Sequence, residues 1–531
     1  WYKEAAHAFV KLLIPDNIAG KGVPVSVAEV RAQQTKAAQR ARFKQCADIM
    51  SMTPDNRIQS FTKTESYASA KAPRNIATMS SETTIITSQF SLAIASVFKT
   101  HRWYCPGKTP EEVAERLMEV ACETDPNDDF EEGDFTNMDF SQSEYAWHFL
   151  TYNAYRRYFA KEHREQLTTA LRQMKKGRMT TAFGIHVEVL FAIMSGWSGT
   201  THEGTLTNSF IVFAAFLTLG FTPAEAFGKI GAIFGDDSLN KSRYGAFSAA
   251  VAKVAADLGF GYKSVIRTPG EPVQFLGRYF VDPRIMPDSF ADPLRTIPKL
   301  HFSASSRSIP KEQAAANKAL GYLATDALTP IIGDWARRVI DITGLTEMRT
   351  PTGEEAYKVS QAWPQFNREA IFTAVAQVMG MAESELQHQS DEIKAASGLD
   401  TFPVVIDVDY KHGIEAVVDG EMVLGQHTNS TTTEPETQTS SNSSETNNDG
   451  IHREPKAGPS GLSQSRKQVV GKRVNAVKPD QDGARQRPAK ACERGTKGKR
   501  AAYSLRHKRQ PRNGKHPPNP TPGCGSVDRP G

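Results

Sequence analysis

Cysteine is scarce and scattered. Only Cys46, Cys105, Cys122, Cys492 and Cys524 occur in 531 residues. They are odd in number and have no zinc-ligand spacing, which argues against a disulfide framework and suits a reducing cytosolic compartment. No apolar run reaches eighteen residues, so no membrane-spanning helix is expected, and no secretory signal is visible. Neither a Walker-type phosphate loop nor a Rossmann glycine fingerprint is present, which removes two common nucleotide-binding classes. The chain starts at Trp1 rather than Met and reads as a fragment or a processed product. Its length leaves room for roughly two to four domains or one large multi-lobed enzyme.

A net positive balance is also missing from most of the chain. The net charge is +5, yet residues 451–531 hold 20 Lys and Arg against 5 Asp and Glu. The rest is therefore net acidic. A folded part with a negative sum still binds RNA if its cations line a channel, because the local field matters more than the total.

The most informative stretch is Gly231-Ala-Ile-Phe-Gly-Asp-Asp-Ser-Leu-Asn240. An apolar run enters two adjacent carboxylates and a short apolar step leaves them, the pattern of a tight β-hairpin with acids at its tip. Such a tip is a place for divalent cations, since Mg²⁺ takes one or two carboxylates together with phosphate oxygens. A Gly-Asp-Asp triplet arises by chance in about one in ten chains of this length, so the weight falls on what accompanies it.

Upstream, Gly133-Asp134-Phe-Thr-Asn-Met-Asp139 sets two carboxylates five positions apart, Asp134 near the end of an extended segment. An aromatic-rich helix is expected from Tyr145 to Tyr158. The plainer reading makes Asp134 a helix cap and Asp128, Asp129, Glu131 and Glu132 a solvated loop. Between the two acidic sites lies Ser195-Gly196-Trp197-Ser198-Gly199-Thr200, then Thr205-Leu-Thr-Asn208-Ser209 and an apolar run. Glycines and hydroxyls before a helix make a loop that lets a nucleic-acid backbone come close, at a helix end that favours phosphate. The plainer reading is a Gly/Ser loop ahead of a core helix.

Taken in order, these three elements resemble motifs A, B and C of the RNA-dependent RNA polymerases of positive-strand RNA viruses. Phe61-Thr-Lys63 through Lys71-Ala-Pro73-Arg74-Asn-Ile76 resembles motif F, a basic strand lining the nucleotide channel. Gly259-Phe-Gly-Tyr-Lys263, after a helix-like stretch Ala249–Leu258, resembles motif D. Val273-Gln-Phe275-Leu276-Gly-Arg278-Tyr-Phe280 resembles the motif E primer grip. Within that class the chain is most similar to the nodavirus replicases. One spacing departs from the pattern: Asn208 stands eight residues after Thr200, where many of these enzymes have the Asn after four. The ribose contact is thus left among Thr205, Thr207 and Asn208.

The resemblance implies an α+β right-hand polymerase of fingers, palm and thumb, with an antiparallel palm sheet and a disordered C-terminal tail. Residues 1–100 are expected as fingers with motif F, 101–267 as palm with a fingers insertion near Gln166–Arg178, and 268–425 as motif E and thumb. Residues 426–531 are expected as a polar linker and basic tail, whose composition cannot bury enough apolar surface to fold. Helices are expected over Lys311–Thr325, Pro330–Thr343 and Asn367–Gln387, and a strand pair within Phe402–Leu424.

By the same resemblance, Asp134, Asp236 and Asp237 hold two Mg²⁺ or Mn²⁺ ions, and Lys263 donates a proton to the pyrophosphate. Lys63, Lys71 and Arg74 bind the triphosphate. Asp139, Ser195, Gly196, Thr200 and Asn208 belong to the nucleotide site, with Asp139, Ser195 and Asn208 near the ribose. Phe275, Leu276 and Arg278 support the primer. The implied partners are RNA template and product, NTPs, a host membrane and a replicase oligomer. The implied place is the host cytoplasm at a membrane-bound replication complex, on the mitochondrial outer membrane if nodavirus-like. Two other readings compete: a reverse-transcriptase-like palm polymerase, and a non-catalytic RNA-binding scaffold.

Overall fold

The computed structural model describes residues 1–34, 37–46, 57–63, 74–406 apart from short gaps at 124, 126, 182, 198, 243–244, 303–307 and 350–361, and the strands 415–418 and 421–424. The chain divides into two units, Trp1–Thr432 and Thr433–Gly531. The second unit, and with it the expected linker and basic tail, lies outside the described residues.

The first unit is α+β. Its central sheet has the order β6-β7-β3-β8, all neighbours antiparallel. The strands are β3 (Asp129–Thr136), β6 (Ala232–Phe234), β7 (Asp237–Ser242) and β8 (Gly261–Arg267). The inner strand β3 is rich in acids, and its Glu131 and Glu132 are buried rather than solvated. The Tyr262 hydroxyl donates to Glu131 at 2.5 Å, Arg267 Nε donates to Glu132 at 2.9 Å, and the Gln274 N–H donates to Glu132 at 2.6 Å. Each buried carboxylate thus has a partner, and the solvated-loop reading of these acids is overturned.

A second sheet has the order β2-β1-β4-β5. Here β1 (Arg57–Thr62) and β2 (Asn75–Met79) are antiparallel, while β4 (Lys176–Thr180) lies parallel to β1 and antiparallel to β5 (His186–Leu190). The single basic strand expected over 61–76 is therefore two strands, and Lys71 lies outside the described residues. A third sheet joins β9 (Val273–Phe275), β10 (Arg278–Phe280) and β11 (Ser289–Ala291). A hairpin forms from β12 (Glu415–Val418) and β13 (Glu421–Leu424), inside the region where a strand pair was expected.

The helix Thr200–Thr218 is the hub. From Glu203 to Phe216 every residue is buried, as befits a helix packed on all sides. Phe9, from the first helix Tyr2–Leu13, packs on its Phe210 and Phe213 with ring centroids 5.7 and 5.3 Å apart. One core therefore runs from residue 5 to residue 260 and crosses the division expected at Thr100. The aromatic helix after β3 is present but changes pitch: Glu144–Ala146 passes through a π-helical stretch, Trp147–Tyr152, into Asn153–Tyr158.

Beyond β11 a second core gathers Phe290, Ile332, Trp335, Val375 and Leu386. Helix Lys311–Thr325 matches the expectation, and Ile332–Thr343 starts two residues later than expected. Asn367–Gln387 is not one helix but two, Arg368–Met379 and Glu383–Ala395. Gly380 takes φ 67° and ends the first, a left-handed cap that glycine reaches without steric cost. Among the described residues no helix is long and apolar enough to cross a membrane.

Candidate active site

The acids at the hairpin tip are placed by local rules. Phe234 pairs with Asp237, leaving Gly235 and Asp236 as a two-residue turn. Gly235 has φ 62°, the sign such hairpin turns need at their first central position. On the next strand Gly133 pairs with Ser238, and continuing that register sets Asp134 across from Asp237. On its other side Asp134 pairs with Lys263 of β8. Cross-strand neighbours of this kind hold their Cβ atoms about 4.5–5.5 Å apart.

Asp134, Asp236, Asp237, Asp139 and Lys263 all line one cavity of about 1720 Å³. Lys63, Arg74, Ser195, Gly196, Thr200, Leu276 and Arg295 line it too. The acids crowd one another. Burial, then Asp236 and Asp134, push the Asp237 carboxyl up to about 7. Asp134 is raised by burial and by Asp236, against the pull of Lys263. Asp139 is pushed up to about 6 by burial and Asp236, with Arg74 opposing. Carboxylates crowded together on the wall of an open cavity suit a divalent cation. Among the described residues no three Asp, Glu, His or Cys side chains form a ready-made metal cage. Mg²⁺ does not require one, because it keeps several waters and takes phosphate oxygens.

Several residues chosen from sequence face elsewhere. Asn208 is fully buried and does not line the cavity. Its Nδ2 points at the carbonyls of Gly235, Asp236 and Asp237 at 3.1, 3.2 and 3.4 Å. The extra helical turn before Asn208 carries it beneath the acidic hairpin, and the position four residues after Thr200 is Gly204. Thr205 lies on the same side, its Oγ1 accepting the Gly235 N–H at 2.8 Å.

Arg278 is likewise buried. It forks onto Asp326 with two bonds of 3.0 Å and lies over the Trp363 ring. It ties β10 to the helical region behind it, while Phe275, Leu276 and Gly277 meet the cavity. The Thr200 hydroxyl donates to the Met194 and Trp197 carbonyls, bracing its own loop. The close approach that Gly196 permits is to β2: a Cβ there would sit 2.5 Å from Thr78 Cγ2.

Arg295 was not singled out from sequence. It lines the cavity and draws the Asp237 carboxyl down. A lone Arg after Pro293-Leu294 carries no signal of such a role.

No protein-family model matches the chain. It is 49% identical over 422 residues to the RNA-directed RNA polymerase of Pieris rapae virus, covering 80% of this chain and 41% of that protein. The chain is a relative of the viral RNA-directed RNA polymerases. The polymerase of Pariacoto virus is 39% identical over 450 residues, covering 84% of this chain and 45% of its own length. That of Nodamura virus is 30% identical over 383 residues. The chain spans less than half the length of these polymerase relatives. Among solved structures, an insertion-loop deletion mutant of the RNA-dependent RNA polymerase of a human picobirnavirus superposes with a TM-score of 0.51. It covers 72% of this chain and 78% of its own at 13% identity, a likeness of fold.

Proposed function

We propose that this chain carries template-directed RNA synthesis from NTPs in the replication of a positive-strand RNA genome. The observation behind the proposal is the convergence of Asp134, Asp236 and Asp237 from adjacent strands onto a cavity that also holds basic side chains. The β6-β7-β3-β8 sheet would be the palm, the β2-β1-β4-β5 sheet part of the fingers, and the helices after β11 the thumb. The three aspartates would hold two Mg²⁺. Bound there, the metals would lower the pKa of the attacking 3′-hydroxyl and offset charge developing at the α-phosphate.

The other roles fall to side chains of the cavity wall. Arg74 would grip the triphosphate through its planar fork, and Lys63 as a point charge. Lys263, beside Asp134, would give a proton to the departing pyrophosphate. Asp139 and Ser195 would meet the ribose 2′-hydroxyl, and a site built for that hydroxyl rejects the deoxy-nucleotide strongly. Leu276 and Gly277, at the β9–β10 turn, would support the product strand.

The test is Asp236→Asn in the 531-residue chain. RNA synthesis on a supplied template is expected to vanish while the thermal midpoint holds, because a neutral amide is a poor Mg²⁺ ligand. Retained synthesis would overturn the reading.

A further inference from the structure

The Gly235-Asp236 turn projects from short strands: β6 has three residues. It is held from below by the helix Thr200–Thr218. Thr205 Oγ1 gives its own hydrogen to the Thr201 carbonyl at 2.6 Å, which leaves a lone pair for the Gly235 N–H at 2.8 Å. One helical turn on, the Asn208 amide spreads its two hydrogens over three successive carbonyls of the turn. Gly204 faces the turn as well, where a Cβ would make ordinary contact with Gly235 Cα at 3.4 Å. Together these contacts fix three consecutive peptide units.

Two features argue that this grip serves more than stability. Asn208 Oδ1 is buried and has no protein partner. Stability alone does not favour a half-matched amide in an apolar core. The turn also carries Asp236 and leads into Asp237, both on the cavity wall that Asp134 shares.

Resting on the polymerase reading above, we propose that Thr205 and Asn208 are positioning residues that set Asp236 and Asp237 for metal binding, and that Asn208 does not read the ribose. The hydrogen-bond directions support this assignment: the amide points at backbone, away from the cavity where a sugar would lie.

The experiment measures single-nucleotide incorporation by the 531-residue chain on a supplied template with titrated Mg²⁺, for Asn208→Ala, Asn208→Asp, Thr205→Val and Thr205→Ser. Asn208→Ala and Thr205→Val should lower kcat at least tenfold and raise the Mg²⁺ midpoint severalfold, with KM for the NTP within about twofold. Asn208→Asp should lose more than Asn208→Ala, because it turns an acceptor toward three carbonyls. Thr205→Ser keeps the hydroxyl and should recover most of the Thr205→Val loss. The rNTP/dNTP preference should stay unchanged throughout. A fall in that preference for Asn208→Ala, with kcat for rNTP near the parent's, would overturn the proposal in favour of a ribose contact. So would activity that falls only with the folded fraction at an unchanged Mg²⁺ midpoint, which marks a merely structural role. Persistent activity of Asp236→Asn would instead sink the polymerase reading, whatever these variants do.

Discussion

Glu203 is a carboxyl group sealed inside the central helix, 2% exposed. Thr151 donates to one oxygen at 2.6 Å, while Oε1 has no partner of good geometry although the Tyr155 hydroxyl lies beside it. Burial pushes the group up to about 7. The folded state therefore keeps a proton between pH 4.5 and 7 that the unfolded state has released. Stability from this residue falls as pH rises through that window and levels off above it, by on the order of 3 kcal/mol in all. Glu203→Gln should flatten the fall and exceed the parent's stability at pH 8. Urea midpoints at pH 5 and pH 8 decide it; an equal fall in both proteins would refute the assignment.

A second contrast at this scale separates two residues of one expected motif. Arg278→Ala strands Asp326 as a buried charge and should cost about 3–5 kcal/mol. Leu276→Ala, at the cavity, should change stability by less than about 1 kcal/mol and shorten products on long templates. Paired denaturation and product-length assays test both. Sequence could not separate them, because alternation along a three-residue strand does not say which face meets a core built from residues fifty positions away.

At the scale of elements, β3 depends on an absence. A Cβ at Gly133 would fall 2.4 Å from Ser238 Oγ and 2.5 Å from the Tyr262 hydroxyl oxygen. Gly133→Ala should destabilise by about 1–3 kcal/mol through overpacking. It should also lower kcat more than KM, since the next residue is Asp134; an unfolding curve and a kinetic pair that both match the parent would count against this.

Elements with local signals were legible. Thr109 and Glu112 make a capping box with Pro110 in the first turn, and helix Pro110–Cys122 starts at that signal. The acidic hairpin was legible because a glycine, two acids and flanking apolar steps leave little choice. Glu131 and Glu132 were not, since the groups that donate hydrogen bonds to them come from β8 and β9, more than a hundred residues on. The position of Asn208 was hidden for a related reason: its spacing marked it as unusual, and only the packed helix shows that the extra turn brings it under the hairpin.

At the scale of the whole molecule, the positive balance is concentrated in one stretch of the sequence. Residues 451–531 hold 20 basic against 5 acidic groups. Cations in such numbers release counterions when they meet RNA, so their contribution falls steeply with salt. Removing residues 451–531 should raise the apparent KM for template at low salt and leave turnover on pre-bound template nearly unchanged. Template affinity that is the same across a salt series, with and without these residues, would assign the charge another task.

The parallel pairing of β1 with β4 has a kinetic side. Arg57 meets Arg178 and Gln59 meets Thr180, so a loop of about 120 residues must close before that sheet exists. Closure of that kind is slow, and a strand waiting for its neighbour has an open edge. During synthesis the β1–β2 pair leaves the ribosome long before β4 does. Its edge stays open until the aromatic helix and one strand of the central sheet, β3, have also emerged. The wall that carries Lys63 and Arg74 is thus closed only after β4 and β5 have emerged, and the nascent chain is exposed to proteases and to misassociation in that interval.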